Sequence, residues 1–326
     1  MLRNVTIITA MSISPNTKRK SFAVAITCLM AWFFAFFTTH VFVSYSFGLF
    51  IWLPIVIGAL STILYAYKNE VNKHSCRNIA YLTLLVFCIG LLAFAFEGLI
   101  CIAMAAPIGL FFTWLGYLLG YQIIKSKIIN PALVSVLLII SVPMFMGFDY
   151  FDKDGTESLR SVSTSIIIKS PVEKVWRSVT QFSQINEPTE LLFKAGIAYP
   201  INAEIDGKGV GAIRHCNFST GSFVEPITEW NEPYLLKFNV SQQPETMKEL
   251  SFYNLHPNHL HGYFISKRGQ FKLTSLPGGN TLLEGTTWYC NKIKPGLYWD
   301  LWSDYIIHKI HERVLNHIKD EAEKKD

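Results

Sequence analysis

Six of the nine histidines fall into two short groups, His256, His259, His261 and His308, His311, His317, residue types that ligate metals and carry protons near neutral pH. Asp304, His308 and His311 are spaced i, i+4 and i+7, so a helix places all three on one face. His256-Pro257-Asn258-His259-Leu260-His261 reads as a loop entering a strand, where a flexible backbone brings imidazoles together. Neither group matches a recognised zinc spacing cleanly. An ordinary helix-surface pair of Asp304 with His308 is therefore the competing reading, and a pH-responsive role is a third. Arg214, Glu225, Glu284 and Tyr289 sit on predicted strands and have the chemistry for acid–base work or ligand orientation wherever they point inward. No nucleophile elbow, phosphate loop or dinucleotide fingerprint is present, and no cofactor is expected.

One more ionisable group stands apart. Glu97 lies in Phe96-Glu97-Gly98-Leu99-Ile100-Cys101, inside otherwise apolar sequence that runs on to Pro107 and Gly109. A hydrated acid in an interfacial turn is the plain reading; a polar site at membrane depth, beside a broken helix, is the functional one. Cys28, Cys76, Cys88 and Cys101 are too scattered to make a metal or redox motif.

These residues belong to two different kinds of sequence, which meet near Asp149. Residues 1–149 carry nine Lys/Arg against three acids, a balance of +6, and residues 150–326 carry twenty against twenty-one, a balance of −1. The basic excess thus belongs to the flanks of apolar runs, and the near-neutral second half has no basic stripe for nucleic acid. A membrane-spanning helix needs about 20 apolar residues. The expected spans are 21–42, 47–67, 78–96, 101–124 and 131–147, after a cytoplasmic segment 1–20. The first run is too long for a removable signal core and lacks a small-residue cleavage site after it, so it is expected to stay as an anchor. Lys18, Arg19 and Lys20, then Lys68, Lys73 and Arg77, then Lys125 and Lys127 mark alternate loops, while 43–46 and 97–100 have no Lys or Arg. The positive-inside rule then places the N-terminus in the cytoplasm, and five spans place the second half outside it.

Residues 150–159 read as a linker and 160–326 as a soluble domain. Ser161–Lys169 is an alternating, β-branched strand. Ser170-Pro171-Val172-Glu173 has the pattern of a capping box opening a short helix, with a second short helix expected around Phe182–Glu190. Strands follow near 201–205, 211–218, 223–230, 235–241, 263–275 and 281–291, and a long helix over about Leu297–Glu323 closes the chain. On that helix Trp299, Trp302, Ile306, Ile310 and Val314 form one stripe, joined by Arg313 and His317, which either packs as core or walls a cavity. Cys216 and Cys290 are expected as free, buried thiols.

The element order, together with Ile166-Ile167-Ile168-Lys169-Ser170-Pro171-Val172-Glu173-Lys174-Val175-Trp176, resembles the helix-grip fold of the START/polyketide-cyclase (SRPBCC) superfamily. The runs Gly196–Pro200, Gly221–Ile227, Glu284–Tyr289 and Trp302–Asp304 resemble a membrane-anchored bacterial branch of it. The resemblance covers roughly residues 160–320. It implies an α+β fold in which a curved antiparallel sheet wraps the terminal helix and encloses an apolar cavity. Candidates for its lining are Arg214, Glu225, Glu284, Trp288, Tyr289, Trp299, Trp302, Ile306 and Ile310. The expected protein is an integral protein of the bacterial inner membrane whose external domain binds a hydrophobic small molecule or lipid near the bilayer surface. An enzyme of cyclase or dehydratase type using the same cavity is one alternative, and a transporter or sensor regulated by the soluble domain is another. Its expected partners are the bilayer and that apolar ligand, with no nucleic acid.

Overall fold

A computed structural model describes residues 14–42, 44–126, 130–151, 158–250, 253 and 262–324. Close packing divides the chain into two compact units. One holds the residues up to Thr38, Gly48–Ala93 and Ala105–Phe148; the other holds Thr39–Phe47, Phe94–Met104 and the chain from Asp149 onward.

The first unit is built from apolar helices: α1 (Pro15–Phe36), α2 (Leu53–Ala66), α3 (Lys73–Ala93), α4 (Leu99–Ser126) and α5 (Pro131–Phe151). Ser14 caps α1 by accepting from the Thr17 amide at 3.2 Å, and Pro15 fills the first helical position, where its missing N–H costs nothing. With π-helical turns extending α1 to Val41 and leading into α2 from Gly48, four helical segments are long and apolar enough to cross a membrane: Pro15–Val41, Gly48–Ala66, Lys73–Ala93 and Leu99–Ser126. A shorter apolar helix covers Pro131–Gly147. The most enclosed helix is α2, which α4 approaches through small residues. A Cβ on Gly116 would fall 2.1 Å from the Ile55 carbonyl oxygen, and one on Gly120 would fall 2.7 Å from that of Ala59. Across the same seam, a Cβ on Gly58 would fall 2.2 Å from the Thr113 oxygen. Gly116-x-x-x-Gly120 is thus a close-packing face, the means by which helices associate where no water drives them together. Trp32 reaches from α1 to donate to the Phe87 carbonyl at 3.0 Å, and Trp52 to Ser141 at 2.8 Å.

In the second unit, strands β1 (Arg160–Ile168), β2 (Pro200–Asp206), β3 (Ile213–Phe218), β4 (Gly221–Asn231), β5 (Leu235–Asn239), β6 (Phe264–Leu276) and β7 (Asn280–Asn291) form one antiparallel sheet in the order β1-β7-β6-β5-β4-β3-β2. Bulges in the β4–β5 and β6–β7 pairings help it to curl. The long helix α8 (Gly296–Glu323) and the short α6 (Val172–Thr180) close the concave side, over a core that includes Ile168, Trp176, Leu236, Leu273, Leu283, Leu315 and Ile318. The fold is α+β: a block of apolar helices followed by a helix-grip domain.

Two local expectations are corrected. The capping box does not form: α6 begins after Pro171 with no side-chain cap, and Ser170 Oγ makes no hydrogen bond among the described residues. The Ser170 carbonyl instead accepts from Thr281 Oγ1 at 2.7 Å, which ties this residue to β7 and away from the helix. The second short helix, α7, covers Leu191–Lys194 rather than 182–190. Phe182 exchanges both backbone hydrogen bonds with Ala203, so a bridge to β2 claims residues that local pattern assigns to a helix.

The glycine seam is directly testable. Gly116→Leu should lower the stability of the full-length protein in detergent by about 1–3 kcal/mol, the usual cost of overpacking. Gly109→Ala on the same helix meets no atom within 4 Å and should leave the thermal midpoint unchanged.

Candidate functional site

Within the apolar core on the concave side of the sheet lies an ion pair. Arg214 on β3 and Glu225 on β4 are register partners, both buried, and the guanidinium Nη1 donates to the Glu225 carboxylate. Around them stand Phe182, Phe238 and Phe271, whose ring centres lie 5.7, 5.5 and 5.5 Å from the guanidinium carbon. Arg214 is 1% exposed, and its Nε makes no hydrogen bond among the described residues. Burial pushes the Glu225 carboxyl above its ordinary value, and the adjacent cation limits the rise. Arg214 stays charged, so an ion pair sits in a low-dielectric interior, with Cys216 also against the guanidinium and Nε–H unpartnered among the described residues. Cys216, the next inward residue of β3, has its thiol pushed up to about 12 by burial and is chemically quiet.

The same alternation overturns two of the cavity candidates. Gly285 faces α8, since a Cβ there would meet Leu315 Cδ2 at 3.7 Å, and Thr287 also reaches α8. Neighbouring strand residues point to opposite faces, so Glu284 and Trp288 lie on the outer face of the sheet. Trp288 there carries the Arg268 guanidinium over its ring at 4.7 Å. Tyr289 does point inward and is fully buried.

The helix face against the sheet is also not the aromatic stripe. It runs through Asp304, Ile307, His311, Val314, Leu315 and Ile318, and Ile307, Val314, Leu315 and Ile318 are buried. Trp299 is buried, but Trp302, Ile306 and Ile310 are half-buried and lie outside the core cluster. The reason is polar complementarity. Thr164 on β1 bonds His308 Nδ1 at 2.8 Å and His311 Nδ1 at 3.1 Å, and Thr287 on β7 bonds His311 Nε2 at 2.8 Å. Tyr289 donates to Asp304 at 2.6 Å, and Arg160 bridges to Asp304 at 2.8 Å and Asp300 at 3.4 Å. Burial, with His308 beside it, lowers the His311 imidazole to about 4. Asp304, His311 and His308 Nδ1 therefore fasten α8 to the sheet, while His308 Nε2 faces Glu312 on the same helix at 3.1 Å. Among the described residues no group of three or more His, Cys, Asp or Glu is arranged to hold a metal ion. His256, His259 and His261 lie outside the described residues.

A third cluster joins segments far apart in the chain. Glu97 occupies the turn after α3, as the plain reading expects, but its carboxylate oxygens are buried rather than hydrated. Glu249 approaches the first turn of α4, accepting from the Ile100 amide at 3.3 Å and from Cys101 Sγ at 2.5 Å, across 148 residues of sequence in the latter case. The Leu250 carbonyl accepts from the Leu99 amide at 3.1 Å, so one extended segment caps the helix twice. Gly98 permits this approach: a Cβ there would fall 1.9 Å from Glu249 Oε2. Helix N-termini favour negative charge, so Glu249 is the natural anion of the pair. Burial, the Glu249 charge close by, and an opposing hydrogen bond from Tyr45 leave Glu97 raised from 4.5 to about 8. Glu249, Tyr45 and Tyr263 carry no sequence signal of their own. The strand-like pairing of Ile197 with Met247 and the backbone bonds Ala198–Thr246 and Lys248–Gly196 help to hold the 246–250 segment in place.

Fold and site define a class: a helical block apolar enough to span a membrane, followed by a helix-grip domain with one buried ion pair in its concave face. No family model and no curated protein matches the chain. Among solved structures, norcoclaurine synthase from Thalictrum flavum is similar at 11% identity over 52% of this chain and 97% of its own, with a TM-score of 0.34. The Zhui aromatase/cyclase from Streptomyces sp. R1128 is similar at 13% identity over 51% and 94%, TM-score 0.33. A Nitrosospira multiformis protein is similar at 16% over 50% and 96%, TM-score 0.33.

Arg214→Ala should destabilise the protein by about 3–5 kcal/mol by stranding a buried carboxylate, and Arg214→Met with Glu225→Leu should recover most of that loss in denaturant unfolding. Glu97 has a pH signature. Between pH 4.5 and about 8 the unfolded chain releases the Glu97 proton while the folded chain keeps it, so its contribution to stability falls as pH rises through that window. Glu97→Gln should flatten this part of the pH profile and raise the thermal midpoint at pH 8.

Proposed function

We propose that this chain is an integral membrane protein whose helix-grip domain binds a hydrophobic small molecule or lipid beside the bilayer. The observation that carries the reading is Arg214. A fully buried cation, ringed by three aromatic side chains and holding one unsatisfied N–H, is suited to the single polar group of an otherwise apolar ligand. Small-molecule sites combine these elements: apolar walls supply the affinity and a few polar groups fix orientation. Support for a surface-bound setting comes from α8, where Leu297, Leu301 and Tyr305, one turn apart along the helix, are 93%, 67% and 48% exposed. Such a strip suits the headgroup level of a bilayer.

The Lys/Arg pattern of alternate loops supports an N-terminus toward the cytoplasm, and counting the shorter apolar helix Pro131–Gly147 as a fifth crossing would put the helix-grip domain on the other side. Tethering then raises the effective concentration of a membrane-partitioned ligand at the domain. A cyclase or dehydratase would use the same interior, with Glu225 as its acid.

The test is mass spectrometry of lipids extracted from the purified full-length protein. One apolar species enriched well above its share of the membrane is expected, and it should be lost in the Arg214→Met/Glu225→Leu variant while that variant stays folded, with most of the wild-type stability. A co-purifying profile that matches bulk membrane lipid in both proteins would sink the reading.

A further inference from the structure

The helical unit has an open pocket of about 320 Å³ lined by the exposed Lys73 and His74 and the half-buried Arg77 on the first turns of α3, and by Tyr117 on α4. Its chemistry is one-sided. Among the described residues, neither Lys73 nor Arg77 makes an ion pair or a side-chain hydrogen bond, and His74 contacts only Asn78, at 3.3 Å. Tyr117 is 4% exposed, packed in a cluster with Cys76, Ile79 and Ala80, yet its hydroxyl is bonded to no described residue. A phenol whose ring is buried while its hydroxyl opens to the pocket, beside two cations with no acidic partner among the described residues, offers a set of donors suited to an anion.

From this we infer that the pocket binds the phosphate of an acidic phospholipid. A phosphodiester offers acceptor oxygens to the guanidinium, the ammonium and the phenol together. The pocket is open to its surroundings and of headgroup size, so the acyl chains would lie outside it. An apolar path is at hand, because Leu82 and Leu85 on α3 and Leu119 on α4 are exposed on helices long enough to cross a membrane. The pocket stands at the first residue of one such helix, which is the depth of a headgroup and favours a lipid over a free anion. This site is separate from the helix-grip interior and needs no ligand there.

The experiment is native mass spectrometry of the full-length protein in mild detergent, titrated with phosphatidylglycerol or with phosphatidylcholine of the same chains. Phosphatidylglycerol should bind about tenfold more tightly, and Arg77→Gln should remove about that factor. Tyr117→Phe, nearly isosteric, should weaken binding by a smaller factor at unchanged thermal midpoint. Lys125→Gln, which removes an exposed charge outside the pocket lining, should change nothing. Equal binding of both lipids, or an equal loss in Lys125→Gln and Arg77→Gln, would overturn the proposal in favour of diffuse charge attraction. Displacement of the lipid by inorganic phosphate at matched concentration would overturn the lipid as occupant and leave a free-anion site.

Discussion

Keeping an arginine and a glutamate inside an apolar shell is the constraint around which the helix-grip unit is organised. Either charge alone costs several kcal/mol to bury, and their attraction compensates only when the geometry is held firmly. The β3–β4 register holds it, since Arg214 and Glu225 are direct partners on one face of the hairpin. The rings of Phe182, Phe238 and Phe271 come from a loop, β5 and β6, so four separate stretches converge on one cation. A curled sheet is what allows strands β3 and β6 to face the same point.

The way α8 is seated follows from a related principle. Polar groups can be buried if they arrive in matched sets, and here Thr164, Thr287 and Tyr289 meet His308, His311 and Asp304. The helix therefore turns a mixed polar and aliphatic face to the sheet and leaves much of its aromatic stripe half-buried. Those half-buried residues, with the exposed Leu297 and Leu301, are where the domain retains apolar surface that its own fold does not use.

Charge placement elsewhere in the two units obeys the same arithmetic with different results. At Glu97 and Glu249 two acids share a buried space, and the N-terminus of α4 decides which holds the negative charge. At Lys73 and Arg77 two cations share a cavity with no acid among the described residues to answer them. The first cluster finds its partners within the chain; the second presents its cations to the pocket.

Sequence by itself determined the class of each half. Long uncharged runs have no stable alternative to helices in a low-dielectric medium, and period-two alternation broken by glycine turns specifies strands. The order of the elements was legible for the same reason, and Arg214 and Glu225 stood out as polar residues on predicted strands, while their pairing came only from the register. Tertiary structure decided the facing of side chains. Glu284 and Trp288 point outward because register, which a strand cannot announce alone, sets Gly285 against α8. The inward face of α8 was hidden because hydropathy selects the most apolar stripe, whereas the sheet offered hydroxyls. Glu249 was invisible because its meaning comes from a helix end 148 residues away, a proximity that only folding creates.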